Sequence, residues 1–264
     1  MCKIRQGLAR RTARNVDGNS SSSIRTPGAI PDRPSYSEYY GSERLARWRE
    51  VSARDKAANI LALWRRTRQA SSCTVADVGC GDGAVIQELT RRGFGRSYVG
   101  FEISQSGLRY AQTRRYEKPV SFVMFNGANI PVPDKSFDVV LLTHVLEHVE
   151  SPRVFLREAD RIGRYVIAEV PLELHARTPQ DFRWDEVGHT NLFNPLVLRH
   201  LFQSLGLTVL DERITCPSRA GFTFHRPIPV ATMDWAAKTV LLRIAPGLAH
   251  RLLTYHGSLI AVSE

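Results

Sequence analysis

Residues 75–83 read Val-Ala-Asp-Val-Gly-Cys-Gly-Asp-Gly. Asp77 falls inside an apolar, β-rich run, where acids are depleted. A buried carboxylate is costly unless something pairs with it. Gly79, Gly81 and Gly83 follow at alternate positions, between that strand and a helix. Such a turn lets backbone approach a ligand closely, with helix N–H groups aimed at an anion. Nineteen residues beyond Gly83, Glu102 ends the next strand. In doubly wound folds a carboxylate at that point hydrogen-bonds a ribose diol. The pattern therefore calls for a nucleoside ligand. Dinucleotide sites use G-x-G-x-x-G, whereas here the spacing is G-x-G-x-G and the sixth position is Ala84. A strand acid also suits a ligand amino group better than a pyrophosphate.

A second constellation lies at 144–148, His-Val-Leu-Glu-His. This is H-x-x-E-H, the spacing of an inverted zinc-peptidase motif. On a helix His144 and His148 would share one face, with Glu147 as general base. A zinc peptidase needs a long helix here, and the preceding residues read instead as an apolar strand ending at Leu142. The histidines then fall at the carboxyl edge of a sheet, where doubly wound folds hold ligands. No metal is expected.

These residues need elements to hold them. Residues 37–67 read as helical, with Ala57, Ile60, Leu61 and Trp64 at i, i+3, i+4, i+7. Apolar runs at 73–79, 96–104, 120–125, 137–145 and 164–171 read as strands, and 207–214 and 221–227 as late strands. Helices are expected over 84–93, 106–117, 151–163 and 194–206, the last two opened by Ser151-Pro152 and Asn194-Pro195. This alternation predicts an α/β fold: a doubly wound, mostly parallel sheet covered on both faces. Beyond residue 230, Ala237, Val240, Leu241 and Ile244 form one helical stripe, and Leu248, Leu252, Tyr255 and Leu259 another. The expected organisation is a basic tail (1–35), a catalytic domain with N-terminal helices (36–230) and a C-terminal helical extension (231–264). The extension suits packing on the sheet, a dimer contact, or peripheral membrane contact.

Together the glycine loop, Glu102 and the stretch "NIPVPDKSFDVVLLTHVLEHV" resemble class I S-adenosylmethionine (SAM) dependent methyltransferases of the small-molecule branch. "GHTNLFNPLVLRHLFQSLGLTVL" resembles that branch's segment after strand five. The resemblance covers about residues 36–226. It implies a seven-stranded sheet with a reversed last hairpin, and SAM as cofactor. Carried over by position, Asp77 would bind the methionine amino group. Gly79, Gly81 and Gly83 would pass beneath the cofactor. Glu102 would take both ribose hydroxyls, and Ile103 would pack on adenine. Asn126 would face the adenine amino group, and Ala128 would lie beside the ring through its backbone. A helix would open within 144–148. Methyl transfer needs alignment and, for a hydroxyl acceptor, a base; imidazole is the usual one. His144 and His189 are the candidates, with His144 the better placed, because the resemblance implies that the fourth strand's edge faces the methyl. Glu147 and His148 read as structural, Tyr39 and Tyr40 as a lid or ordinary helix packing, Trp184 and Asp185 as acceptor-pocket lining or loop.

The bulk numbers bound these readings. Of 264 residues 43% are hydrophobic, enough for a substantial core. The four cysteines are scattered with no C-x-x-C, which fits a reducing, cytoplasmic setting. No spanning helix or signal peptide is expected. Net charge is +10, and residues 1–25 hold six basic groups against Asp17, half the excess. That tail reads as disordered. The expected partner is a small-molecule acceptor, methylated at a hydroxyl, and nucleic acid is not expected. An RNA or protein methyltransferase and a catalytically silent SAM-binding subunit are the competing functions.

Overall fold

The computed structural model describes residues 36–67, 69–178 and 188–263. The basic tail, Trp184 and Asp185 lie outside them. Two helices come first, α1 (Tyr36–Gly41) and α2 (Glu43–Arg66). Ser42 caps α2 by accepting from the Leu45 N–H at 3.4 Å. Then strands and helices alternate: β1 (Thr74–Val78), α3 (Ala84–Arg91), β2 (Ser97–Glu102), α4 (Gln105–Thr113), β3 (Val120–Met124), β4 (Phe137–Thr143), α5 (Pro152–Ile162), β5 (Gly163–Leu172), α6 (Pro195–Gln203) and β6 (Thr208–Thr215). Three helices follow, α7 (Arg219–His225), α8 (Ile228–Ile244) and α9 (Pro246–Leu252), and then β7 (Tyr255–Val262).

The strands form one seven-stranded sheet in the order β3-β2-β1-β4-β5-β7-β6. All neighbours are parallel except β7, which runs antiparallel to both β5 and β6. Helices cover both faces. On one, Phe155, Leu156, Leu198 and Phe202 of α5 and α6 pack on Val140, Val166 and Leu259. On the other, Ile60, Leu63 and Trp64 of α2 pack with Ile86 and Leu89 of α3 against Val75, Leu141 and Ile167. A doubly wound sheet of this order reverses direction between β1 and β4, and that crevice is where such folds place ligands.

The reversed hairpin is present, but its second strand is not the expected one. Residues 221–227 were expected to extend; instead Ser218 accepts from the Gly221 N–H at 3.3 Å and starts α7. The strand is Tyr255–Val262, inside the segment expected to be wholly helical. It is flanked on both sides and buried on both faces, so it lacks a two-residue hydrophobic alternation. Its Tyr255 and Leu259 continue a helix-like spacing from Leu252 by coincidence. Gly257 fits because a Cβ there would stand 2.6 Å from the Leu172 side chain. The expected helices of the extension do exist as α8 and α9, and α8 exposes Ile228, Met233, Val240 and Ile244.

Leu259 is 1% exposed and sits in the sheet's interior. Leu259→Ala should therefore cost about 2–5 kcal/mol, read as a lower urea midpoint at unchanged slope. A loss within the roughly 0.5 kcal/mol typical of surface sites would contradict the placement of this strand.

Candidate functional site

The carboxyl edge of the sheet carries an unusual density of buried acids. Asp77, Asp82, Glu102, Glu147 and Glu169 are all 5% exposed or less. Each has a different electrostatic solution.

Asp77 stands next to the end of β1, and neither carboxylate oxygen has a hydrogen-bond partner. Burial pushes its pKa up to about 7, against a modest pull from the Lys56 cation. Glu102 is the opposite case. Its Oε2 accepts from the Gly81 N–H at 2.7 Å, and its Oε1 from Ile103 and Ser104 at 2.9 Å each. Burial raises its pKa while those three N–H groups pull it back. Between the two acids runs the glycine turn. Gly79, Gly81 and Gly83 all have positive φ, 78°, 57° and 75°, which side chains rarely adopt. Tyr40 lies across this turn: a Cβ on Gly81 would meet its hydroxyl at 3.1 Å. Asp82, inside the turn, takes Arg49 of α2 at 2.7 Å and Arg114 at 2.7 Å. Arg49 also donates to the Tyr39 and Tyr40 carbonyls at 3.0 and 3.2 Å. One aspartate thus ties α1, α2 and the residue after α4 to the turn.

The expected helix at 144–148 is not formed. His144 has φ 58°, a left-handed conformation that stops the β4 extension and allows its N–H to reach the Glu169 carbonyl at 2.8 Å. Residues 146–148 form a tight turn, in which the His148 N–H meets the Val145 carbonyl at 2.9 Å. His144 and His148 therefore do not share a helix face. His144 turns toward Glu147, Nδ1 to Oε1 at 3.2 Å, and toward Glu169, Nε2 to Oε1 at 3.4 Å. His256 at the start of β7 approaches the same Glu169 oxygen at 3.6 Å. Asn59 of α2 donates to the other oxygen of Glu169 at 2.7 Å. Burial and Lys56 oppose protonation of His144, but Glu147 and Glu169 outweigh them and raise its pKa. Burial, reinforced by His144, lowers that of His256.

His189 is placed differently. Its Nδ1 pairs with Glu173 at 2.7 Å, and its ring meets His148 edge-on with centroids 4.9 Å apart. Ile103 is half-buried beside Gly127. Asn126 is exposed, and its side-chain oxygen accepts from the Ala128 and Asn129 N–H groups at 3.0 and 2.9 Å. That oxygen orders the loop that carries Ala128. Two open clefts, of about 390 and 370 Å³, lie away from these residues, beside α3 and beside α6 and α9. Tyr40 covers the glycine turn itself.

The structure thus collects Asp77, the three glycines, Glu102, Ile103, His144 and His189 at one edge. Sequence reasoning overlooked Glu169, His256, Asn59 and the Arg49–Asp82–Arg114 clamp. Glu169 had a readable signal, because it is an acid within an apolar strand, as Asp77 is.

A family model described as a methyltransferase domain matches residues 76–165, from β1 into β5. Those residues hold the glycine turn, both strand-end acids and His144. The matched residues are therefore similar to a methyltransferase domain, on an α/β fold consistent with the class I methyltransferases. An uncharacterized methyltransferase of Mycolicibacterium gilvum is 35% identical over 114 residues, 42% of this chain and 44% of that one. The phthiotriol/phenolphthiotriol dimycocerosates methyltransferase of Mycobacterium tuberculosis is 34% identical over 90 residues, 34% of this chain and 33% of that one. The chain therefore spans less than half the length of these curated relatives. Among solved structures, the [4+2]-cyclase SpnF superposes with a TM-score of 0.58 at 19% identity, over 88% of this chain and 97% of that one. That likeness extends the shared fold well beyond the methyltransferase domain, and a cyclase on the fold means that fold alone does not name the reaction.

The orphaned carboxylate of Asp77 has a measurable consequence in the ligand-free protein. Its folded pKa, about 7, exceeds the ordinary carboxylate value. Between about pH 4 and 7 the unfolded chain loses this proton while the folded chain keeps it, so stability falls as pH rises. Asp77→Asn removes that fall. Urea midpoints of variant and parent should differ little near pH 4, with the variant ahead at pH 8. A parent that is the more stable of the two at pH 8 would mean that Asp77 has an internal partner.

Proposed function

We propose that the chain transfers a methyl group from SAM to a hydroxyl of a small-molecule acceptor. The observation that supports this most directly is the pair of strand-end acids. Asp77 offers two buried, unpartnered carboxylate oxygens to a cation, which suits the amino group of the cofactor's methionine. Glu102 lies across the glycine turn from it, as a ribose ligand would.

SAM supplies a methyl already activated by its sulfonium. The domain then has to bind, align and keep out water. A carboxylate has roughly four acceptor positions. Glu102 uses three on backbone N–H groups. Taking both ribose hydroxyls therefore requires it to release one, and the Gly81 bond is the one beneath Tyr40. Cofactor binding is read as coupled to movement of the Tyr40 lid. In the displacement the carbon–sulfur bond breaks and its electron pair stays on sulfur. A carbon–oxygen bond forms, and the acceptor's hydroxyl proton must leave.

Of the two candidate bases, His189 fits better. A carboxylate on Nδ1 fixes the tautomer and stabilises the imidazolium, the arrangement of hydrolytic triads. His189 has that carboxylate in Glu173. His144 instead directs both nitrogens at carboxylates. A hydroxyl acceptor is also supported by the M. tuberculosis relative, whose name specifies a triol.

Calorimetry should show binding of SAM or its demethylated product, and none of NAD. Glu102→Ala should weaken that binding about 10-fold or more. With methyl-labelled SAM and fractionated small-molecule extracts, His189→Ala should leave SAM binding intact and lower incorporation by about 100-fold or more. NAD binding without SAM binding would end this reading. Undiminished incorporation by the His189 variant would mean alignment alone suffices.

A further inference from the structure

Beyond the cofactor residues, three side chains converge with unsatisfied atoms. His144 Nε2, Glu169 Oε1 and His256 Nδ1 are all buried, and none has a hydrogen-bond partner. Nε2 of His144 lies 3.4 Å from the glutamate oxygen and Nδ1 of His256 lies 3.6 Å from it, and all three atoms fall within 4.8 Å of one another. These come from three neighbouring strands: the residue after β4, the interior of β5 and the start of β7. We propose that His144, Glu169 and His256 bind one divalent metal ion of the zinc type.

Geometry is the first argument. Metal–ligand bonds of roughly 2.1 Å at tetrahedral angles put ligand atoms about 3.4 Å apart. The two separations to Glu169 match that spacing without rearrangement. Two imidazoles and one carboxylate also form a set that holds zinc and iron with coordination positions left open.

The outer contacts are the second argument. Histidine ligands characteristically direct their other nitrogen at a carboxylate or carbonyl, which fixes the ring and its tautomer. His144 directs Nδ1 at Glu147, at 3.2 Å. The second oxygen of Glu169 is held by Asn59 at 2.7 Å, so the free oxygen is oriented. Charge is the third argument. Glu147 and Glu169 are 0% and 1% exposed. Lys56 couples electrostatically to both, but among the described residues it forms an ion pair with neither. A divalent ion offsets both carboxylates where a single imidazolium offsets one. The His144 and His256 side chains are 21% and 18% exposed, although the three converging atoms are themselves buried.

The role of the ion, though not its existence, rests on the methyl-transfer reading. An acceptor hydroxyl on an open coordination position would lose its proton more readily. This assignment reverses the expectation of no metal drawn from the H-x-x-E-H spacing. The ion is placed by residues that motif does not contain, with only His144 in common. A second group, Glu147, His148 and His189, also brings its ligand atoms within 4.8 Å, so the test must separate the two.

The untagged full chain, dialysed against buffered zinc, should retain one equivalent by elemental analysis. Cobalt(II) in its place should give the visible absorption of a four- or five-coordinate centre. His256→Ala and Glu169→Gln should each weaken zinc binding by at least about 100-fold, and Asn59→Ala by about 10-fold. His148→Ala should leave it unchanged. No retained zinc, zinc retained equally by the His256 and Glu169 variants, or zinc lost on His148→Ala would each overturn the assignment. SAM calorimetry on the chelator-treated chain separates the two proposals: SAM binding without metal binding defeats only this one, and metal binding without SAM binding defeats only the other.

Discussion

Burying carboxylates in a protein interior is expensive, and among the described residues five are buried at one edge of one sheet. The arrangement of the site follows from how each is compensated. Asp82 is neutralised by two arginines, Glu102 by three backbone N–H groups, Glu169 by an asparagine and two imidazoles. Glu147 faces His144. Asp77 has neither a hydrogen-bond donor nor an ion-pair partner among the described residues. An interior group that stays uncompensated marks the place where the molecule expects something from outside. The strands then need only deliver these groups to a common edge, which a parallel doubly wound sheet does automatically, because all its parallel strands end there.

Much of this was legible beforehand, for a physical reason. Glycines in left-handed turns and acids inside apolar runs violate local preferences, and such violations concentrate at functional sites. Asp77, Gly79, Gly81, Gly83 and Glu102 are visible in that way. The first six strands are visible because apolar runs alternate with helical stripes. The seventh is not, because a strand buried on both faces has no alternation to read. His256 was hidden with it. His144 could be singled out, but not its backbone: nothing local distinguishes a helix opening at 144 from a left-handed residue followed by a tight turn. The partners of His144 come from β5, β7 and α2, and pairings over such separations are set by topology alone.

The left-handed His144 also bears on how side-chain and backbone roles can be separated there. A non-glycine residue in this region carries roughly 1–3 kcal/mol of strain, which the surroundings must hold in place. Here the holding contact is the His144 N–H on the Glu169 carbonyl. Alanine at 144 would remove the imidazole and keep the strain, whereas glycine would remove both.

The attachment of α2 carries a different kind of consequence. At its N-terminal half the helix is tied to the glycine turn by the Arg49–Asp82 ion pair, and further along by Asn59 on Glu169. Further polar holds follow along its length, with Asp55 accepting from the Ser218 N–H at 2.8 Å, Trp64 donating to the Ala70 carbonyl at 3.2 Å and Arg66 on Asp211 at 3.4 Å, beside the apolar contacts of Ala53, Ala57, Ile60, Leu63 and Trp64. The helix is thus fastened by polar contacts from end to end and by an apolar face over the sheet. Arg49 and Asp82 are 10% and 5% exposed, so salt screens their pair far less than the one made by Arg66, which is 69% exposed. Rising ionic strength would therefore loosen the last turn of α2 before its roof over the site, an order that amide hydrogen exchange can read.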